Sequence, residues 1–355
     1  MFRLAVGSLG RGSLRSTVGL QGARQLSVAS SAGYTDEHRA VIKGLKGKHL
    51  LCIDDYTKAE LEAVLALSRH VKALHKSKAL PKALDGMSMA SIFQKRSTRT
   101  RVSSETGMAL LGGTSLFLSS DDVQLGVNES IRDSALVLSR FNSIILARVF
   151  GHEIVEEVAQ YSTVPVINAL SSMYHPLQTL ADYMTVQERF GVSNVAGKTL
   201  AWVGDGNNVL HDLMLAAPAL GVNLRICTPQ GHEPDTEVSE RTSELASKYG
   251  TSVLTTTSPT EGVKGANMVV TDTWVSMGQE DEAKRRIRTF KGYQVTSELL
   301  SNASDDCIFM HCLPRHKEEV SDEVFYSDRS VVFDEAENRM YTVQAVILSM
   351  LGETL

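Results

Sequence analysis

The sequence predicts an α/β protein of two domains, each a mainly parallel sheet flanked by helices. Short apolar runs alternate with amphipathic stretches of helical period through most of the chain. At 355 residues the chain is long enough for two domains of ordinary size. With 43% hydrophobic and 22% charged residues, its composition is that of a globular protein.

The first predicted domain covers residues 40–175. Its first long helix has apolar residues recurring with the 3.6 period of an amphipathic helix. The later strands are short and apolar, and they alternate with helices, which is typical of a parallel sheet. In chain order the predicted elements are helix 55–74, strand 87–93, helix 102–111, strand 115–118, helix 129–141, strand 143–149, helix 153–161 and strand 164–169.

The second predicted domain covers residues 190–335 and follows a connecting helix, 176–189. That helix begins at Pro176, because proline is favoured at the first helical position. The last apolar run, 341–351, is predicted to be helical and to return to the first domain as part of a helix at 340–353. The predicted strands of the second domain are 199–203, 223–227, 252–254, 268–271 and 307–310.

The N-terminus differs in composition from the rest of the chain. It carries Arg3, Arg11, Arg15 and Arg24, and no acidic residue precedes Asp36. An arginine- and serine-rich leader without acids is typical of a mitochondrial transit peptide. We therefore expect residues 1–35 to be such a peptide and the mature protein to lie in the mitochondrial matrix. The alternative is a disordered tail.

Charge and cysteine content exclude several classes of protein. A net charge of −5 argues against general nucleic-acid binding. No stretch approaches the roughly 20 apolar residues of a membrane span, so no membrane insertion is expected. The four cysteines are too few and too scattered for a disulfide framework, and they lack the paired spacing of a zinc site. They are Cys52, Cys227, Cys307 and Cys312.

A predicted anion site follows the strand at 87–93. There Ser97 or Thr98 is a plausible N-cap of the next helix, and Arg99 and Thr100 follow at once. Free backbone N–H groups and the positive end of a helix dipole bind anions, and an arginine can hold a phosphate bidentately. The alternative is a capped helix with a solvated basic turn.

A glycine-rich string after strand 199–203 has part of a dinucleotide fingerprint. Gly204 and Gly206 are in place, but Val209 occupies the third glycine position. No acidic residue ends a second strand about 20 residues on, so a nicotinamide cofactor is not expected. The two following asparagines, Asn207 and Asn208, fit better as ligands for the polar head of a substrate.

Three further strings place reactive side chains at strand or helix ends. His175 and Gln178 share one face of a helix start, where they can bind a carbonyl and an N–H₂ group. Asp272 ends a strand and could pair with an ammonium. Cys312 lies beside His311 and close to an arginine, so its pKa could be lowered and the thiol could act as a base or nucleophile. The alternatives are a helix cap, an ordinary turn and an inert buried thiol.

Five strings, taken in order, resemble the family of aspartate and ornithine carbamoyltransferases. The last two strings resemble the ornithine branch of that family and not the aspartate branch. The resemblance extends from about residue 45 to the C-terminal helix. The strings are Phe93-x-Lys95-x-Ser97-Thr98-Arg99-Thr100, Ala147-Arg148-Val149, His175-Pro176-x-Gln178, Asp272-x-Trp274-x-Ser276-Met277-Gly278 and His311-Cys312-Leu313-Pro314.

The resemblance implies a reaction and a set of partners. The carbamoyl group of carbamoyl phosphate would pass to the side-chain amine of L-ornithine, giving L-citrulline and phosphate. The resemblance implies neither a metal nor an organic cofactor, and it implies a homotrimer. Two alternatives stay open, namely a carbamoyltransferase for another amine and a catalytically silent binding protein on the same scaffold.

The resemblance also implies roles for individual residues. Catalysis would fall to Cys312, Arg148, His175 and Asp272, with His311 assisting Cys312. Ornithine would be bound by Asn208, Asp272, Ser276 and the backbone of Met277. Carbamoyl phosphate would be bound by Ser97, Thr98, Arg99, Thr100, Arg148, His175, Gln178, Cys312, Leu313 and Arg339.

Overall fold

The computed structural model describes residues 33–119, 129–275 and 282–355. Within these ranges the chain forms two parallel sheets flanked by helices, which confirms the predicted fold class. No helix in the described ranges is long and apolar enough to cross a membrane. The predicted leader up to residue 32 lies outside the described residues, and so do Ser276 and Met277.

The first sheet has four strands, and every pairing in it is parallel. The strands are β1 (Ser88–Phe93), β2 (Thr114–Ser119), β3 (Ile144–Arg148) and β4 (Val166–Leu170). Their order in space is β2–β1–β3–β4. The helices of this half are α1 (Asp36–Gly44), α2 (Lys58–Lys76), α3 (Thr98–Leu110), α4 (Ile131–Phe141) and α5 (His152–Tyr161), with a 3-10 turn at Ile53–Asp55.

A long buried helix, α6 (Pro176–Phe190), leads to the second half of the chain. The second sheet is again wholly parallel. Its strands are β5 (Thr199–Val203), β6 (Asn223–Cys227), β7 (Val253–Thr256), β8 (Met268–Thr271) and β9 (Ile308–His311), in the order β7–β6–β5–β8–β9. A 3-10 turn at Val192–Asn194 precedes them, and the helices between them are α7 (Asn208–Ala219), α8 (Thr236–Tyr249), α9 (Pro259–Val263), α10 (Ala283–Thr289) and α11 (Ser297–Leu300).

Two helices complete the chain, the short α12 (Asp322–Phe325) and the long α13 (Val332–Leu351). α13 packs against α2 and α3 of the first half and against the connecting helix α6. It begins eight residues before the predicted start at 340. Its first turns carry charged side chains, so the apolar run alone does not mark where it begins.

The strand order sets the position of the site. In the first sheet the chain reverses direction across the sheet between β1 and β3, and in the second between β5 and β8. Parallel sheets bind ligands in the crevice beyond the carboxyl ends of the strands at such points. The loops after β1, β3, β5 and β8 therefore define the region in which a site is expected.

Candidate active site

A cavity of about 650 Å³ opens between the carboxyl ends of the two sheets. Twelve residues predicted for the site line this cavity, although they come from loops far apart in sequence. They are Ser97, Thr98, Arg99, Thr100, Arg148, His175, Gln178, Asn208, Asp272, Cys312, Leu313 and Arg339. Two further candidates, Asn207 and His311, do not line the cavity.

One end of the cavity is the start of α3. Ser97 is the N-cap, as predicted, and its hydroxyl accepts a hydrogen bond from the backbone N–H of Thr100 at 3.2 Å. The N–H groups of Thr98 and Arg99 belong to the first turn, where an α-helix offers no internal acceptor. They and the helix dipole leave partial positive charge at this end of the cavity.

Three guanidinium groups add full positive charge to the same end. Burial lowers the pKa of Arg148 to about 10, and the nearby charges of Arg339 and Arg99 contribute to this shift. Burial likewise lowers the pKa of Arg339 to about 10. Among the described residues, the Nε atoms of Arg148 and Arg339 are buried without a hydrogen-bond partner. Converging cations with unused donors form a site for a multivalent anion.

His175 is a neutral imidazole in this environment. Its ring is buried, and burial and then the charges of Arg339, Arg148 and Arg99 hold its pKa well below the usual value. Its backbone N–H donates to the carboxylate of Asp212 on α7 at 2.6 Å. A neutral imidazole can donate one N–H to a carbonyl oxygen without adding a further charge.

The C-terminal helix supplies Arg339 between two elements of the first half. Its Nη1 donates to the amide oxygen of Gln178 at 2.6 Å, and its Nη2 donates to the hydroxyl of Thr100 at 3.2 Å. The amide nitrogen of Gln178 donates to Asp182 and to Glu335, each at 2.8 Å. The polar groups around the centre of the cavity therefore form one buried network.

The opposite end of the cavity carries a carboxylate at the end of β8. Asp272 accepts hydrogen bonds from Asn207 Nδ2 at 2.8 Å, from the Thr273 N–H at 2.7 Å and from Cys312 Sγ at 3.0 Å. Asn208 also lines the cavity, and its Nδ2 donates to the carbonyl of Ser171 at 2.6 Å. An acidic, amide-rich end complements the ammonium and carboxylate groups of an amino acid.

Cys312 does not have the lowered pKa that its neighbours in the sequence allowed. Burial raises the pKa of this thiol well above its usual value, and the adjacent charge of Asp272 raises it further. The arginine nearest in sequence, Arg315, is paired with Asp322, so burial and Asp272 determine the state of the thiol. Cys312 is therefore a neutral thiol, and its S–H group donates a hydrogen bond to Asp272.

His311 lies beneath the loop and has no exposed surface. Its Nδ1 accepts the N–H of Leu313 at 2.9 Å, and its Nε2 lies 3.3 Å from Glu319. Leu313 has a φ of 60°, in the left-handed region that costs a residue with a side chain about 1–2 kcal/mol. We infer that His311 stabilises this loop conformation and does not act directly on the substrate.

Among the described residues, one group could hold a metal ion by its geometry, namely Asp272, His311 and Cys312, whose ligand atoms lie within 4.8 Å of one another. Both ring nitrogens of His311 already face other groups, namely the Leu313 N–H and Glu319. A bound ion would have to displace one of them. The predicted absence of a metal stays a prediction.

Gly206 packs directly against another segment of the backbone. A Cβ atom at this position would lie 2.3 Å from the backbone of Glu233 and Pro234. Glycine is therefore required here for packing, and the partial fingerprint in the sequence is accounted for without a dinucleotide.

Sequence reasoning gave Asn207 another role and missed two residues of the site. Asn207 was expected to bind the polar head of a substrate, but its side chain bonds Asp272 and the first turn of α7. Asp182 and Glu335 were missed altogether. They lie four residues from Gln178 and Arg339 on the same helices, and an acid within a buried helical face is a signal that could have found them.

Comparison with known proteins is consistent with this geometry. Residues 48–188 match the family model "Aspartate/ornithine carbamoyltransferase, carbamoyl-P binding domain", and residues 196–350 match its "Asp/Orn binding domain". The mitochondrial ornithine transcarbamylase of Gallus gallus is 52% identical over 311 residues, covering 87% of each chain.

Solved structures agree with the sequence matches. The ornithine carbamoyltransferase of Pyrococcus furiosus is 46% identical, with a TM-score of 0.85 over 88% of this chain and 99% of that one. The mitochondrial ornithine carbamoyltransferase of Coccidioides immitis is 42% identical, with a TM-score of 0.79 over 86% of this chain and 98% of that one. This chain belongs to the aspartate/ornithine carbamoyltransferase family.

Proposed function

We propose that the protein transfers the carbamoyl group of carbamoyl phosphate to the side-chain amine of L-ornithine, giving L-citrulline and phosphate. One observation carries the proposal. One cavity has arginines and the start of α3 at one end and the Asp272 carboxylate with Asn208 at the other. That polarity suits a phosphate at the first end and an amino acid at the second.

The carbamoyl phosphate end would work as follows. The phosphate is bound by the hydroxyls and N–H groups of residues 97–100 together with the Arg99 guanidinium. The carbamoyl oxygen lies towards Arg148, His175 and Thr100, which stabilise the negative charge that develops on it. The carbamoyl N–H₂ group donates to the Gln178 oxygen and to the backbone of Leu313, close to Arg339 and Cys312.

The ornithine end would hold the amino acid by its α-substituents. Asp272 pairs with the α-ammonium, and Asn208 binds the α-carboxylate. Ser276 and the backbone of Met277 complete the predicted set. The neutral thiol of Cys312 donates to Asp272 at 3.0 Å, so it orients that carboxylate beside the incoming amine. Its raised pKa makes it a poor base near neutral pH.

The chemical step is an addition followed by an elimination. The lone pair of the neutral side-chain amine forms a bond to the carbamoyl carbon, and the carbonyl electrons move to oxygen. That oxyanion then collapses, the bond from carbon to the bridging phosphate oxygen breaks, and phosphate leaves with the electron pair. The attacking nitrogen transfers one proton to an oxygen of the departing phosphate, which leaves as the hydrogen phosphate dianion. Fixed donors near the oxyanion lower the barrier because they need no rearrangement.

Incubating the purified protein with carbamoyl phosphate and L-ornithine tests the proposal, with citrulline and phosphate measured together. Equal molar amounts of both products are expected. Phosphate release without citrulline, beyond the rate of spontaneous breakdown, would point to another acceptor, and a panel of amines would identify it. Binding of both substrates without any product would identify a catalytically silent protein and contradict the proposal.

We further propose that residues 1–35 form a transit peptide and that the mature protein lies in the mitochondrial matrix. Arg3, Arg11, Arg15 and Arg24, without an acid before Asp36, support this, as do the mitochondrial relatives. Fused to a fluorescent protein, these residues are expected to direct it to mitochondria, and replacing the four arginines by glutamine should prevent that. Cytosolic fluorescence of the unaltered fusion would contradict the proposal.

We also propose the domain division that the sequence suggested, with one domain at 40–175 plus the C-terminal helix and the other at 190–335. The division is supported by one sheet in each segment and by the return of α13 to the first. A homotrimer remains our proposal from family resemblance. Exposed apolar side chains in the first half, such as Val102, Leu116 and Phe141, are consistent with a buried contact in such an assembly.

A further inference from the structure

We propose that Glu335, supported by Asp182, is a positioning residue that fixes the Gln178 amide with its oxygen towards the carbamoyl group. The inference rests on the proposed function and deepens it. It assigns a role to two buried acids that bind neither substrate, and it explains how the site would distinguish an N–H₂ group from a methyl group.

The Gln178 amide has a single orientation that satisfies its neighbours. Its nitrogen donates one hydrogen to Asp182 Oδ1 and the other to Glu335 Oε1, each at 2.8 Å. Its oxygen accepts from Arg339 Nη1 at 2.6 Å. A flipped amide would place its nitrogen against the guanidinium and its oxygen against two carboxyl groups. The carboxyl groups and Arg339 therefore act together against a flip.

The amide oxygen retains capacity for one more hydrogen bond. A carbonyl oxygen has two lone pairs, and Arg339 uses one of them. Gln178 lines the cavity, so the second lone pair is available to a ligand there. An acceptor is what a carbamoyl N–H₂ group needs, whereas an inward-facing amide nitrogen would repel it.

Glu335 also reaches the opposite side of the cavity. Its Oε2 accepts the backbone N–H of His311 at 3.0 Å, so each of its oxygens accepts from a different N–H group. His311 in turn holds the N–H of Leu313. One carboxyl group thus sets the Gln178 amide and the start of the loop that carries Cys312 and Leu313.

Asp182 and Glu335 lie side by side at the Gln178 amide nitrogen, and both side chains are almost completely buried. Burial raises the pKa of both acids, and the charge of Asp182 raises that of Glu335 further. Burial and proximity therefore favour a protonated carboxyl group in this pair, next to the guanidinium of Arg339.

The two acids should respond differently to amide substitution, because Asp182 accepts one of these hydrogen bonds and Glu335 accepts two. In Asp182→Asn, the new oxygen can accept from Gln178, and both acceptor oxygens of Glu335 remain. In Glu335→Gln, only one acceptor remains for two N–H groups, those of Gln178 and His311. One of these two N–H groups must then face the N–H₂ group of the new side chain, so it loses its acceptor.

The test compares carbamoyl phosphate with acetyl phosphate, in which a methyl group replaces N–H₂. The measured quantity is the inhibition constant of acetyl phosphate divided by the KM for carbamoyl phosphate. A site built to bind an N–H group strongly rejects an analogue without it. We expect a ratio of at least about 100 for the unaltered protein and a fall of about tenfold or more in Glu335→Gln.

Two further variants complete the design. Asp182→Asn should change the ratio by less than Glu335→Gln does, within about threefold of the unaltered protein. Glu337→Gln is the matched control, because it is on the same helix but pairs with Lys76 at the surface. It should leave the ratio and the turnover unchanged. Melting curves establish that each variant is folded.

Several outcomes would overturn the inference. Equal weakening of carbamoyl phosphate and acetyl phosphate in Glu335→Gln would show a general structural role. So would equal damage in Asp182→Asn and Glu335→Gln. If Glu335→Gln does not fold, Asp182→Leu is the substitute variant. It removes one acceptor from Gln178 and leaves the bond between Glu335 and His311. An unchanged ratio in this variant would overturn the inference.

Failure of the proposed function and failure of this inference can be told apart. If the unaltered protein makes no citrulline, the proposed function is wrong, whatever the ratio. If it makes citrulline and the ratio is independent of Glu335, only this inference is wrong.

Discussion

Replacing Arg99 by alanine is expected to raise the KM for carbamoyl phosphate about 100-fold or more. Removing one partner of a desolvated charge pair costs about 2–5 kcal/mol, and each 1.4 kcal/mol corresponds to about a factor of ten. Arg99 is partly buried at the start of α3, where it lines the cavity. Arg148 and Arg339 would remain, but the phosphate would have lost one of its charged partners.

Arg101→Ala is the matched control, because this arginine is in the same string but does not line the cavity. It is ion-paired with Glu105 at 2.9 Å and stacks on Phe117. It should leave the KM for carbamoyl phosphate within about threefold, since an exposed ion pair contributes at most about 1 kcal/mol. Saturation of Arg99→Ala at the normal concentration would remove Arg99 from the phosphate site. Initial rates at saturating ornithine give the KM for carbamoyl phosphate of both variants.

The contrast between Ser97 and Glu335 shows which part of the site is predictable from sequence. The anion-binding string is local, since the cap, the hydroxyls and Arg99 lie within four residues and need only a helix start to converge. Parallel sheets then place Arg148, Asn208 and Asp272 near it, because strand ends at a reversal of strand order share one crevice.

The remainder depends on tertiary contacts between distant residues. Glu335 meets Gln178, a residue 157 positions earlier in the sequence, only because α13 returns across the first half. For the same reason, the pKa of Cys312 is raised where the sequence allowed a lowered one. The sequence shows the neighbouring arginine, but Asp272 approaches the thiol from another loop. The early start of α13 was missed because its first turns are charged.

The second large effect is expected at the other end of the cavity. Asp272→Asn should lower kcat/KM for ornithine about 100-fold or more, since it removes the charge that faces the α-ammonium. The change also disturbs the carboxylate's own partners, which are all donors. Asn207 cannot turn its amide to compensate, because its Oδ1 already accepts the N–H groups of Val209 and Leu210.

Binding of carbamoyl phosphate separates this effect from general damage. Measured by calorimetry without ornithine, the affinity of Asp272→Asn for carbamoyl phosphate should stay within about threefold, since the phosphate lies at the other end of the cavity. Asp334→Asn, which removes an exposed charge from the first turn of α13, is the control for loss of charge alone. If Asp272→Asn kept its kcat/KM for ornithine, Asp272 would not be the ammonium partner. If both substrates bound more weakly by the same factor, the residue would be needed for the cavity as a whole, because only a selective loss of ornithine identifies a contact with the amino acid.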